Sequence, residues 1–131
     1  MRYSAALIEH FRNPRNAGLM PDPDAVGEAR DPECGDVARF YLRIRQGRVA
    51  EVRFQTYGCG PSIAASSAAT EVVAGLDLGA LEVLNPEGIE AALGGLPPDR
   101  RHAAEVVSMA LRAAAQDVRR RQGMEREGVR A

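Results

Sequence analysis

From residue 36 onward, apolar and polar positions alternate with period two. Ala38, Phe40, Leu42 and Ile44 fall on one side and Arg39, Arg43 and Arg45 on the other, which predicts a half-buried β-strand. Gln46-Gly47 supplies a turn, and Ala50, Val52, Phe54 and Thr56 then resume the alternation against Glu51, Arg53 and Gln55. The pattern is that of an antiparallel hairpin with one buried face. Its other face is rich in arginine and reads as a solvated strand face rather than a docking surface.

Helical spacing brackets the hairpin. Near the start, Ala5, Ile8 and Phe11 or Arg12 recur on one side of a short amphipathic helix, with Ser4 as its N-cap and Asn13-Pro14 as its stop. Residues 13–35 are rich in Pro, Gly, Asp and Asn and read as loop, with a short strand near Gly27–Arg30. After Pro61 the residues are small and helix-compatible to about Ala74, where Gly75 ends the run. Residues 77–94 fit one or two short helices, the second opening near Asn85-Pro86. Leu96-Pro97-Pro98-Asp99 is a rigid bend with Asp99 placed to cap the next helix. From about Arg100 to Arg121, the stripe Ala103, Val106, Val107, Ala110, Leu111, Ala114 and Val118 predicts a long amphipathic helix. Strands first and helices afterwards predict an α+β fold, in which an antiparallel sheet of about three strands is covered on one face by helices.

The chain has 131 residues, which suits one domain spanning 1–131, with 122–131 a frayed, charged tail. A formal charge of −1 gives no electrostatic case for nucleic-acid or membrane binding. No apolar run reaches membrane-spanning length and the N-terminal segment lacks secretory-signal character, so a cytoplasmic protein is expected. Every lysine-or-arginine position is arginine, which removes lysine chemistry from consideration.

Cys34 and Cys59 are the only cysteines, and they form no C-x-x-C pair. That spacing argues against a zinc ribbon, a dithiol redox motif and a disulfide scaffold. Cys34 lies at the entrance to the first long strand and Cys59 at the exit from its partner, so antiparallel pairing brings both to one end of the sheet. Glycines beside each cysteine let the backbone approach a sulfur closely, and Cys59 precedes a helix N-terminus whose positive end suits an anionic sulfur. Asp36 is close enough in sequence to turn toward the same centre, and His102 stands near the start of the long helix. Cys34, Asp36, Cys59 and His102 together make a four-ligand set for zinc or iron. The alternative is bland: glycines that only turn a strand into a helix, inert buried thiols, a strand-entry aspartate and a surface histidine. His10, on the opening helix, has no evident partner and stays outside the set.

The stretches "YSAALIEHFRNPRNAG" (3–18), "CGD" (34–36), "FQTYGCGPSIAASSAATE" (54–71) and "LPPDRRH" (96–102) occur in one order along the chain. On them the chain resembles the U-type iron–sulfur cluster assembly scaffolds, the IscU/NifU N-terminal family. The resemblance implies a SufE/IscU-like α+β fold and a scaffold or carrier rather than an enzyme. Such a scaffold accepts sulfur from a cysteine desulfurase, binds iron, and passes a transient [2Fe–2S] cluster to acceptor apo-proteins. It also implies that Cys34, Asp36, Cys59 and His102 hold the cluster, or zinc in the same pocket.

Two departures from the family pattern matter. A cysteine expected after the histidine is Ala103, which removes a third thiol, so that either Cys34 or Cys59 takes the sulfur or sulfur acceptance is impaired. A homodimer could supply the lost ligand. The loop that an Hsp70-type chaperone would bind keeps Leu96-Pro97-Pro98 but carries Asp99 in place of an apolar residue, so a weakened interaction is expected. The loss at position 103 also keeps open a second reading, a zinc-binding paralogue that docks on a cysteine desulfurase and modulates it without assembling clusters.

Overall fold

The computed structural model describes the backbone of residues 3–130 and the side chains of residues 3–123. Three strands, β1 (Ala25–Arg30), β2 (Val37–Arg45) and β3 (Arg48–Tyr57), form one antiparallel sheet in the order β1-β2-β3. Helix α1 (Ala5–Arg12) precedes the sheet. Helices α2 (Gly60–Val73), α3 (Leu78–Glu82) and α4 (Pro86–Ala92) come after it, then a 3-10 turn at Pro98–Arg100 and helix α5 (His102–Arg130). α5 packs on β1 and β2, and α2 packs on β3, so the two helices cover the apolar face of the sheet.

The hairpin forms as its alternation requires. Gln46 (φ 54°) and Gly47 (φ 73°) are both left-handed, the geometry of a tight turn whose twist matches paired strands. Ala38, Phe40, Leu42, Val52 and Phe54 enter the core. The alternation slips once: Arg43 pairs with Glu51 but Ile44 pairs with Val49, a bulge that leaves Ala50 as the extra residue. Val49 is therefore buried and Ala50 exposed, the reverse of the pattern read from sequence. On the outer face Arg39 pairs with Glu28, Arg45 with Asp24, and both Arg43 and Arg53 with Glu51. Tyr41 is buried there, its hydroxyl donating to Gln55 Oε1 at 2.6 Å.

The opening helix is also rotated relative to expectation. Ser4 does cap it, accepting from the Leu7 N–H, but the buried positions are Leu7 and His10, while Ile8 and Phe11 are exposed. A histidine counted as polar hides the true face: His10 Nδ1 hydrogen-bonds Ser67 Oγ at 2.7 Å and Nε2 lies 3.3 Å from Glu71. These are structural partners on α2, and they leave His10 away from the thiols.

α2 is buried on almost every side because its residues are small. Its buried hydroxyls all find partners, since an unpaired one would cost on the order of 1–3 kcal/mol. Ser66 Oγ donates to the Ser62 carbonyl and contacts Thr56, and Thr70 donates to the Ser67 carbonyl. Gly75 (φ +81°) ends the run as expected.

α5 buries the whole predicted stripe from Ala103 to Val118. It differs from the sequence reading at both ends. Asp99 lies inside the 3-10 turn rather than at the helix N-cap; the carbonyl of Arg101 instead accepts the first helical N–H groups, from Ala104 and Glu105. At the other end, the expected frayed tail is helical backbone through Arg130, continuing a segment that no proline interrupts. Residue 131 lies outside the described residues. Among the described residues, no helix is long and apolar enough to cross a membrane.

Candidate metal centre

The antiparallel pairing of Val37 with Tyr57 brings the turn before β2 and the segment after β3 to one end of the sheet. That turn, residues 31–36, closes on itself: the Asp31 N–H donates to the Asp36 carbonyl at 2.8 Å and the Gly35 N–H to the Asp31 carbonyl at 2.9 Å. Gly35 takes φ +78° with open space around it, so glycine is used here for its backbone freedom. Asp36 leaves the turn with its carboxylate buried under Gly58. A Cβ on Gly58 would stand 2.5 Å from Asp36 Cγ and 2.6 Å from Oδ1. The glycine before Cys59 is bare because the Asp36 carboxylate occupies the space of its side chain.

Cys59 is the N-cap of α2, with Pro61 in the helix's first turn. Its Sγ lies 3.5 Å from Asp36 Oδ2 and 3.3 Å from Ser62 Oγ, and Ser62 Oγ donates to Asp36 Oδ2 at 2.6 Å. His102, first residue of α5, brings Nε2 to 3.9 Å from the same carboxylate oxygen. Asp36, Cys59 and His102 thus offer three ligand atoms within 4.8 Å of one another. Thiolate, imidazole and carboxylate at this spacing suit zinc or iron.

Cys34, the fourth expected ligand, falls in a second group. It is exposed, and its Sγ joins Asp31 and His102, again within 4.8 Å of one another. Sequence reasoning missed Asp31. The available signal was an aspartate three residues before the cysteine, which the structure shows bracing the turn: Oδ1 accepts from the Glu33 N–H at 2.9 Å and the Cys34 N–H at 3.2 Å. Those two N–H groups hold the Asp31 carboxyl below its ordinary value, burial opposing them. At Cys34 the Asp36 N–H favours the thiolate, but desolvation and the neighbouring Asp31 and Asp36 carboxylates outweigh it and push the thiol up. A cation entering this group neutralises the carboxylates and removes most of that penalty.

Ala103 is fully buried in the core and gives the centre no donor. Beside Cys59 opens a largely apolar cavity of about 330 Å³, lined by Tyr3, Leu7, Ile8, Phe11, Pro61 and Arg100 among others. The Arg100 Nε is buried there without a hydrogen-bond partner. Leu96 is buried in the hydrophobic core, while Pro98 and Asp99 are exposed.

Comparison with known proteins agrees with this architecture. Residues 2–125 match the family described as NifU-like N terminal domain. The chain is 38% identical over 121 residues to "Iron-sulfur cluster assembly scaffold protein IscU 1" of Archaeoglobus fulgidus, covering 92% of this chain and 79% of that protein. It is 38% identical over 128 residues to "Iron-sulfur cluster assembly scaffold protein IscU" of Azotobacter vinelandii, covering 95% and 99%. Among solved structures, the N-terminal part of a NifU-like protein from Brucella abortus superposes with a TM-score of 0.70 at 20% identity, covering 89% of this chain and 94% of that one. At that identity the likeness speaks to fold alone.

Proposed function

Because the chain belongs to the NifU-like N terminal domain family, we propose that it is an iron–sulfur cluster assembly scaffold, a carrier rather than an enzyme. It holds iron and sulfide as a transient [2Fe–2S] cluster at the end of its sheet and passes the cluster to acceptor apo-proteins. The observation that carries this reading is the convergence of Asp36, Cys59 and His102 within 4.8 Å, with Cys34 and Asp31 sharing the same histidine. Thiolates hold iron firmly, whereas hard carboxylates hold it less tightly than a full thiolate set would. The exposure of Cys34 leaves an edge from which a cluster can leave.

Sulfur arrives from a cysteine desulfurase as a persulfide. A thiolate of this chain attacks the outer sulfur, the new S–S bond forms on the chain's cysteine, the donor's S–S bond breaks, and the donor departs as a thiolate. Reducing that sulfur to sulfide takes two electrons from an external reductant. Cys59 is the favoured acceptor, since it opens onto a cavity lined by Arg100, whose guanidinium charge suits an anionic persulfide. Two free cysteines fit the reducing cytoplasm as the place of work. Chaperone binding at Leu96-Pro97-Pro98 would require Leu96 to leave the core, and Asp99 weakens it further.

The buried Ala103 supports a second reading, in which the same pocket holds zinc and the protein docks on a desulfurase without assembling clusters. Anaerobic reconstitution with ferrous iron, cysteine and a desulfurase separates the two. Near-equal iron and acid-labile sulfide per chain, lost in Cys34→Ser and in Cys59→Ser, is the expected result. Tightly held zinc with no sulfide would replace the scaffold reading with the docking one.

A further inference from the structure

The five donors of the centre form two overlapping sets, Asp31–Cys34–His102 and Asp36–Cys59–His102. A single tetrahedral ion uses four ligands, so one ion leaves a donor idle. Two adjacent cations divide the donors naturally: each set contributes one thiol and one carboxylate, and His102 stands between them. The same division suits a two-iron, two-sulfide cluster, in which each iron takes two protein ligands. The chain has only two thiols, so two of the four positions must be filled by oxygen or nitrogen.

From this geometry we propose that Asp31 is a metal ligand, pairing with Cys34 to hold one of two neighbouring cations while Cys59, with Asp36 or His102, holds the other. The inference rests on the scaffold reading above and specifies its ligand set. Asp31 is buried, yet its carboxylate stands beside an exposed thiol. Its Oδ1 accepts both described backbone N–H bonds, which fix the carboxylate, and an oxygen of that carboxylate lies within 4.8 Å of the Cys34 Sγ and a His102 ring nitrogen. On binding, the S–H bond breaks, the proton passes to solvent, and sulfur and carboxylate oxygen both bond the cation.

The bland alternative is that Asp31 only braces the turn. Asp31→Asn separates the two roles, because the amide keeps one oxygen for the Glu33 and Cys34 N–H groups and replaces the other oxygen with a group that ligates poorly. Asp31→Cys adds a soft ligand at the same place. The probe is cobalt(II), titrated anaerobically into the intact metal-free chain, since each cobalt–thiolate bond adds charge-transfer absorption in the near ultraviolet.

Wild type is expected to show the intensity of two thiolates. Asp31→Asn is expected to lose about half of it at two cobalt ions per chain, with cobalt affinity at that half weakened about tenfold or more. Asp31→Cys is expected to exceed wild type by about half, a gain that misfolding cannot produce. Asp31→Asn with unchanged intensity and affinity, or Asp31→Cys with no gain, would overturn the assignment while leaving the scaffold reading standing. Wild type without any thiolate charge-transfer would sink both.

Discussion

Gly58 shows how one absent side chain sets the chemistry of the centre. The space its Cβ would fill is held by the Asp36 carboxylate, 2.5 Å away at Cγ, and that carboxylate touches Cys59, Ser62 and His102. Gly58→Ala must push Asp36 out of its position. Because the carboxylate sits at the edge of the core, the expected cost in fold stability is modest, about 1–2 kcal/mol. The loss of metal affinity is expected to exceed tenfold. Cobalt titration beside urea unfolding measures both, and unchanged affinity would mean that Asp36 is not a ligand. Of the residues around this carboxylate, Cys59 stood out in sequence as a thiol between glycines, whereas Asp36 and His102, each ordinary alone, entered the set only in combination with the two thiols and through the family resemblance. Asp31 was not legible. An Asp-Pro in a loop reads as turn chemistry, and only the folded turn reveals that its carboxylate faces His102.

At the scale of elements, patterns failed where polar atoms were buried or a strand gained a residue. The face of α1 was misread because His10 is satisfied inside by Ser67, and a hydropathy count treats it as exposed. Ala50 was misplaced because a bulge shifts the register of β3, and no residue type marks that shift in sequence. The stripe of α5 was read correctly from Ala103 to Val118, since a single apolar face on a long helix leaves little ambiguity. The contact between α5 and β1 has a further requirement that periodicity cannot show. A Cβ on Gly27 would lie 2.2 Å from both the Ala110 carbonyl oxygen and the Ala114 nitrogen. These are backbone atoms of α5 and cannot turn aside. Gly27→Ala is expected to separate strand from helix and cost about 3 kcal/mol or more, read as a lower urea midpoint. A variant as stable as wild type would show that the helix has room to shift.

Across the whole molecule, Asp117 joins the far end of α5 to the first strand. Its Oδ2 accepts from the Val26 N–H at 2.9 Å and meets Arg121 at 3.0 Å, its Oδ1 bonds Arg120, and Arg121 reaches on to the Pro23 carbonyl. Burial pushes this carboxyl up, but the Val26 N–H, the Arg120 hydrogen bond and the charges of Arg121 and Arg120 outweigh it, holding it below its ordinary value of 3.8. The folded chain therefore binds fewer protons here than the unfolded one as the medium becomes acidic. The contribution is complete above the unfolded value and is lost as pH falls through the folded one. Asp117→Asn keeps an oxygen for Val26 but loses the charge. It is expected to lower stability at neutral pH by about 1.5 kcal/mol, and to converge with wild type in strong acid. Glu51 and Glu82 are likewise lowered by their arginine partners, but they are solvent-facing and contribute little, so they leave only a shallow residual slope. Urea unfolding of both chains from neutral to acid pH checks this. Parallel curves across the whole range would mean that the carboxylate of Asp117 is not what fastens β1 to the long helix.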